Sequence, residues 1–474
     1  MDSTLHRIPV GSTILVTGAN GYIGSHVCNI LLSLGYRVRG SVRSPKPWLT
    51  AFFDASYGRG RFEAVIIPCL SESEAWESAV DGVQGIAHVA SDLSMNRDPE
   101  KVVPQMVQGV RNALEAAARH PLVKRVVYTS SSTAAFISVP NKEGVRITRD
   151  TWHDASIAAA WATDTPDDER GYQVYCASKT LAEKGAWEWV QRNKPHFEFS
   201  SVVPNTNYGR ILCPEIPAPS MAWTGNLLHG DDTVMRSFPP QWFVDVEDTA
   251  RLHVVALLSP SAVGKRLFAF AQAFNWTDIL TILRELRPDN TQLPPSPENE
   301  GRDLSEIVDA PEAEALMNEF FGTKGWVGLK ESLEAGLEGR WPSPLAKKVP
   351  KDLKPRKPFP MSVTHMVVFH FKESTSDAKI EESAQICREI IALKENCIHP
   401  KTQKPYIKSF EGGKDHSPEN AQHGMTHGYV AQFESREDRD YYVSEDPVHL
   451  ELGPRIAPFV EKFLCLDFTP EQWV

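Results

Sequence analysis

The chain has 474 residues, 41% of them hydrophobic and 23% charged, with a formal net charge of −11 at pH 7. This length exceeds what one hydrophobic core serves and fits two or three domains of ordinary globular composition. The acidic balance argues against a general nucleic-acid or anionic-membrane binder, and no apolar run approaches the length of a membrane span.

At the start of the chain, Met1 to Val10 lack the basic start and apolar core of a signal peptide. The seven cysteines, at positions 28, 69, 176, 213, 387, 397 and 465, show no paired spacing. Such a scattered, odd set fits reduced thiols and a cytoplasmic protein. No Cys/His cluster has zinc spacing, so no metal is expected.

Ile14-Leu15-Val16-Thr17 predicts a buried strand, and Ser25 to Leu34 predicts a helix with Val27, Ile30, Leu31 and Leu34 on one side. Between them lies Gly18-Ala19-Asn20-Gly21-Tyr22-Ile23-Gly24. Strand, glycine turn and helix in that order let a pyrophosphate sit on a helix N-terminus. Gly18 permits the turn, Gly21 lets backbone approach phosphate, and Gly24 lets the helix pack on the strand. The spacing is G-x-x-G-x-x-G, a departure from the standard G-x-G-x-x-G fingerprint. A second strand, Tyr36 to Val42, ends at Arg43. An acidic residue at that place, roughly twenty residues past the glycines, would hold the ribose 2′-hydroxyl of NAD. Arginine there, with Lys46 close by, suits a 2′-phosphate and therefore NADP(H).

Much further along, Tyr175 and Lys179 stand four apart in Tyr175-Cys176-Ala177-Ser178-Lys179, on one face of a helix. An ammonium beside a phenol favours the phenolate. Tyr175 is thus a candidate acid toward a carbonyl oxygen while a nicotinamide delivers hydride to the carbon. The stretch 141–171, with Trp152, Trp161 and the acidic cluster Asp164, Asp167, Asp168 and Glu169, reads either as a rim over the pocket or as a solvated surface loop.

Further landmarks are His88-Val89-Ala90-Ser91, Gly109 and Asn112, Tyr128-Thr129-Ser130-Ser131-Ser132, and Val244 to Asp248 with Ala250. With them, residues 1–340 resemble the extended short-chain dehydrogenase/reductases, within these the dihydroflavonol reductase and fungal aldehyde/ketone reductase group. The resemblance implies an α/β Rossmann-type doubly wound parallel sheet with a small substrate subdomain. It implies cofactor contacts at Gly18, Asn20, Gly21, Tyr22, Ile23, Gly24, Arg43, Lys46, Ala90, Tyr175, Lys179 and Pro204, with Lys179 also anchoring the ribose. It places the hydrogen-bond donor to the substrate carbonyl on Ser131, with Ser130 and Ser132 as close alternatives. Two departures stand out. Pro68-Cys69-Leu70 lacks the aspartate that contacts adenine in the family, and Val203-Pro204-Asn205-Thr206-Asn207 replaces the usual proline-rich segment beside the nicotinamide.

Residues 341–361 are rich in proline and lysine and read as a semi-extended linker, either docked on the acidic reductase surface or solvated. From 362 to 474, the pattern predicts strands over 363–371, around 406–410, over 426–433 and over 464–468. Helices are expected over 377–394, 437–443 and 450–463. This is β-α-β-β-α-β order, a ferredoxin-like unit. His365-Met366-Val367-Val368-Phe369, Thr426-His427, Asp446-Pro447-Val448-His449 and Leu466-Asp467-Phe468-Thr469-Pro470 make it resemble the stress-responsive α/β-barrel domain, a dimeric ferredoxin-like family. The resemblance implies a homodimer through this domain. Some members close rings with a tyrosine and a histidine inside the barrel. The matching histidine is His449, the matching tyrosine is Tyr442 or Tyr441, and His365 and His427 match cavity histidines. The domain either binds or cyclises a metabolite or only dimerises.

The whole reads as an NADP-dependent carbonyl reductase of fungal secondary-metabolism type, acting on a small-molecule aldehyde or ketone and fused to a dimeric barrel. A nucleotide-sugar epimerase or dehydratase with bound NAD is the alternative that Arg43 opposes. A non-catalytic cofactor-sensing scaffold is the one that the intact Ser-Tyr-Lys set opposes.

Overall fold

Seven short runs of apolar and β-branched residues form the larger sheet of a computed structural model, which describes residues 6–338, 363–372, 377–400, 402–415, 425–433 and 435–468. The runs are β1 (Thr13–Thr17), β2 (Arg37–Val42), β3 (Phe62–Ile66), β4 (Gly85–His88), β5 (Arg125–Thr129), β6 (Glu198–Pro204) and β7 (Arg266–Ala269). All pair in parallel in the order β7-β6-β5-β4-β1-β2-β3. Parallel strands need crossovers, and helices on both faces cover them. The helices that matter for the site are α1 (Tyr22–Ser33), α2 (Pro99–Arg119), α3 (Asp167–Asn193) and α4 (Val246–Leu258). One core lies between the sheet, α1 and α4, with Val16, Val27 and Leu252 fully buried; a second lies between the sheet, α2 and α3, with Leu114 and Val174 fully buried. The strand order reverses between β1 and β4, which opens a crevice at the carboxyl ends of the strands. This is the doubly wound sheet that the sequence predicts.

α1 begins at Tyr22, three residues before the expected Ser25, because Gly21 is its extended cap residue and its carbonyl takes the first helical N–H, from Ser25 at 2.9 Å. A smaller sheet of strands 206–208, 241–245 and 272–274, with helices 219–228, 276–286 and 329–337, builds a subdomain around Met221, Phe243, Trp276 and Leu333. The stretch 141–171 is anchored rather than a plain loop. Arg146-Ile147 pairs with Glu306-Ile307, and a helix spans Asp154–Trp161. Asp167, Asp168 and Glu169 fill the first turn of α3, where the helix dipole favours negative charge.

The chain divides into two compact units, 1–349 and 350–474; the stretch 341–361, expected as a linker, lies outside the described residues. In the second unit, β8 (Val363–Phe371), α5 (Asp377–Asn396), β9 (Ile407–Lys414), β10 (His427–Phe433), α6 (Arg436–Ser444), α7 (Pro447–Ile456) and β11 (Val460–Phe468) form an antiparallel sheet in the order β9-β10-β8-β11. The helix expected over 450–463 stops at Ile456, and the last strand starts at Val460 rather than Leu464. Pro458 has no N–H with which to continue the helix. The helices cover the sheet face that carries Phe369, Tyr429, Ala431 and Phe433. Strand register puts Met366, Val368, Val430, Leu464 and Leu466 on the other face, where Leu464 and Leu466 are exposed. Among the described residues no helix is long and apolar enough to cross a membrane.

Candidate functional site

The glycine turn closes the end of β1 against the start of α1. Gly18 has φ +67°, and a Cβ there would lie 3.0 Å from the Ala90 Cα. At Gly24 a Cβ would come within 2.2 Å of the Gly18 carbonyl, so only glycine lets α1 seat this closely. No side chain caps α1, and its first turn holds no acidic residue. Its first N–H groups and the positive end of its dipole therefore face the crevice, the setting that binds a pyrophosphate. Asn20 and Gly21 are half-buried along this turn. Tyr22 points away from it: the ring is buried in the subdomain core and the hydroxyl donates to the Gly209 carbonyl at 2.6 Å. What Tyr22 offers the crevice is backbone. Ile23 packs between the two cores.

Thr17 pairs with Ser41, so Arg43, two residues on, stands exposed beside the turn; Lys46 is the half-buried residue before helix Pro47–Tyr57. Asn112 donates to the Leu70 carbonyl at 3.0 Å, and a Cβ on Gly109 would lie 3.2 Å from the Leu70 side chain. This explains both landmarks on α2 as packing against the Pro68-Cys69-Leu70 segment. Ala90 follows β4. The amides of Val89 and Ala90 donate to the Thr17 hydroxyl at 2.9 and 3.0 Å, and that hydroxyl lies 2.9 Å from His88 Nδ1. With its lone pairs taken, Thr17 donates to Nδ1, which leaves His88 neutral. Burial, aided by the Lys179 charge, lowers the His88 pKa to about 3. Pro204 ends β6, buried, opposite Ala269.

Tyr175, Lys179 and Ser131 meet at the carboxyl end of β5. Of the three serines, Ser131 is the one that acts on the Tyr175 phenol, while its hydroxyl accepts from Thr133 Oγ1 at 2.9 Å. Ser130 turns inward and donates to Glu183 at 2.6 Å, and Ser132 begins the short turn that Ser131 caps. Lys179, 2% exposed, donates to the Thr129 carbonyl at 2.9 Å, with its Nζ 5.4 Å from the Tyr128 ring. The mutual tuning expected of Tyr175 and Lys179 takes a different form here. Burial pushes the Tyr175 phenol up to about 12, and the Ser131 hydrogen bond opposes it. The ammonium is directed at a backbone carbonyl, and burial lowers Lys179 to about 7 against the pull of Glu183. Protonated tyrosine and serine hydroxyl lie together at this strand end, with the buried cation one helical turn along α3, which suits protonation of an oxygen that gains negative charge.

Sequence reasoning missed the buried groups around this point. His253 on α4 donates from Nδ1 to the Thr249 carbonyl at 2.7 Å and accepts at Nε2 from Thr129, 2.6 Å away. It is therefore neutral, and burial lowers it to about 4. No motif announces it. Glu183 has a signal: it continues the spacing of Tyr175 and Lys179 by one further helical turn.

In the second unit, the structure separates the two tyrosine candidates. Tyr442 is buried, with its ring 4.0 Å from His449 and 5.7 Å from His365. Tyr441 lies instead beside His399 and Tyr406, at 5.8 and 5.7 Å. His449 Nδ1 is buried without a partner among the described residues. Burial first, then the His365 charge, lowers its pKa. His427 does not join this group. It packs 4.8 Å from Phe371, four residues along β10 from Ala431, which opposes His365; four strand residues span about 13 Å. His365 Nδ1 lies 2.7 Å from Asp467, which also pairs with Arg439 at 2.6 Å, and 3.6 Å from Cys465. Ligand-type atoms of His365, Cys465 and Asp467 thus lie within 4.8 Å of one another. No sequence spacing shows this grouping, because two strands assemble it. Arg439 already neutralises its carboxylate.

Residues 14–269 match the model of the NAD dependent epimerase/dehydratase family, and residues 363–470 match the Stress responsive A/B Barrel Domain. The chain is 44% identical over 334 residues to Ketoreductase nvfG of Aspergillus novofumigatus, covering 70% of this chain and 97% of that protein. It is 38% identical to Aldehyde reductase 2 of Sporidiobolus salmonicolor, covering 69% of this chain and 95% of that one. Among solved structures, yeast methylglyoxal/isovaleraldehyde reductase Gre2 complexed with NADPH aligns with a TM-score of 0.57 at 25% identity, covering 68% of this chain and 96% of that chain.

The buried lysine has a measurable signature. An unfolded lysine keeps its proton up to its ordinary 10.5, whereas Lys179 in the fold keeps it only to about 7. Between these values the unfolded chain binds more protons, so stability rises with pH there. Lys179→Met should therefore melt above wild type at pH 7, and the gap should narrow as the pH climbs toward 10. Scanning fluorimetry across that range checks it; a gap independent of pH contradicts it.

Proposed function

The chain belongs to the NAD dependent epimerase/dehydratase family and carries a stress-responsive A/B barrel domain behind it, and from that premise we propose that it reduces an aldehyde or ketone, with Tyr175 as the acid. It is an NADP-dependent oxidoreductase. The observation that carries the reading is the meeting of Ser131 and Tyr175 at the end of β5, one helical turn from the buried Lys179. NADPH supplies the hydride when bound. The uncapped N-terminus of α1, the glycine approach at Gly18 and Gly24, and the exposed Arg43 with Lys46 fit its pyrophosphate and 2′-phosphate. Ser131 donates to the substrate carbonyl. Tyr175, protonated through the neutral range because its pKa lies at about 12, gives its proton to the oxygen as hydride arrives at carbon. Lys179 holds the ribose and stabilises the phenolate left behind. The names of the relatives point to ketones and aldehydes, and their fungal sources to a polyketide or other secondary metabolite.

A second reading concerns the barrel. The close pairing of Tyr442 with His449 and the bare Nδ1 favour a ligand site there, with His449 as base toward a proton alpha to a carbonyl. The uncovered apolar face of Val368, Val430, Leu464 and Leu466 favours a homodimer through this unit.

Four outcomes are expected. In a panel of aldehydes and ketones followed at NADPH absorbance, Tyr175→Phe lowers turnover by about two to four decades with NADPH affinity unchanged, whereas Arg43→Ala weakens NADPH far more than NADH; near-normal turnover by Tyr175→Phe removes the mechanism. A chain ending at Glu338 sediments as a smaller assembly than the full protein, and equal assemblies contradict the dimer. His449→Ala leaves the reductase rate intact but changes the product profile from a poly-carbonyl compound; an unchanged profile leaves the barrel as a dimerising unit alone.

A further inference from the structure

Glu183 lies one turn beyond Lys179 on α3, so Tyr175, Lys179 and Glu183 share one face of the helix. It is fully buried. Ser201 and Arg266 Nε donate to Oε1 at 2.6 and 2.9 Å, with Trp187 at 3.4 Å. Ser130 and Arg266 Nη2 donate to Oε2 at 2.6 and 2.9 Å. Donors on every side leave no room for a proton, so the group is a carboxylate. Arg266 grips it as a bidentate fork, donates to the Thr151 carbonyl at 2.6 Å and stacks 3.9 Å from the Trp152 ring.

We propose that Glu183 is a positioning residue of the reductase site: it supplies the counter-charge of Lys179, and through Ser130 it ties the strand end that carries Ser131 to the helix that carries Tyr175. This rests on the reductase reading above.

The groups that face Lys179 set its charge environment. His88 comes from β4, Tyr128 from β5, Tyr175 and Glu183 from α3, and His253 from α4. Both histidines are held neutral by their hydrogen bonds with Thr17, Thr129 and Thr249. Both tyrosines are neutral, their phenols raised by burial. Among the described residues, Glu183 is the carboxylate that acts on the ammonium and raises its pKa. The geometric argument concerns neighbours. Ser130 and Ser131 are adjacent, so the Ser130–Glu183 bond sets how far the serine end stands from α3. Ser201 binds the same carboxylate from β6, opposite Tyr128 and away from Ser131. Stability is a weak reason for such a pair, since apolar replacements of buried ion pairs are often neutral or stabilising.

Two comparisons test this. Glu183→Met/Arg266→Met removes both charges and leaves neither unpaired. NADPH fluorescence titrations across pH should show affinity falling as Lys179 deprotonates, and in the double variant the break should move to lower pH. The cofactor's own phosphate titrates alike in both proteins. An unmoved break in a folded double variant overturns the counter-charge. Ser130→Ala should lower turnover of the best compound of the carbonyl panel about tenfold at unchanged NADPH affinity, with Ser201→Ala within about twofold of wild type. Equal effects of the two serine variants overturn the tie. If the double variant is unfolded by circular dichroism, the serine pair decides alone. A wild type that binds no NADPH fails the reductase reading instead.

Discussion

The reductase unit is organised around one buried cation. Moving an ammonium out of water carries a large desolvation cost unless dipoles and an opposite charge compensate. Every element at the carboxyl ends of the central strands is arranged accordingly. β5 presents the Thr129 carbonyl, α3 presents Glu183, and β4 and α4 present histidines kept neutral so that they do not repel the charge. The threonine hydroxyls that fix those histidines, Thr17 and Thr129, also end β1 and β5, the strands on either side of β4. The site is thus continuous with the core, and the same hydrogen bonds that satisfy buried polar groups orient the groups that do chemistry.

This continuity explains what was legible in the sequence. The glycine turn, the strand before it and the tyrosine-lysine spacing are local patterns, and local patterns survive reading along the chain. Arg43 was legible because its distance from the turn is fixed by one βαβ step. The choice among Ser130, Ser131 and Ser132 was not, because alternation at a strand end depends on how the following turn winds; there Ser131 caps the turn and meets Tyr175 while Ser130 faces the core. His253 stayed hidden because helix-to-strand packing, not spacing, brings it to Thr129. In the second unit, the sequence left Tyr441 and Tyr442 open, and helix α6 separates them by presenting each to a different neighbour.

The two units divide their work by fold. A parallel sheet buried on both faces concentrates its open chemistry at one edge of the strands. An antiparallel sheet with helices on one face leaves its other face uncovered. Joining the two in one chain keeps a nicotinamide chemistry and the barrel unit under common stoichiometry.

The last strand of the barrel has a consequence for handling the protein. β11 lies at the rim of its sheet, with one side of its backbone unmatched by another strand among the described residues, and Phe463 is 66% exposed along it. Bare rims with large apolar side chains template the addition of foreign strands. Dilute handling is therefore the condition that this rim calls for.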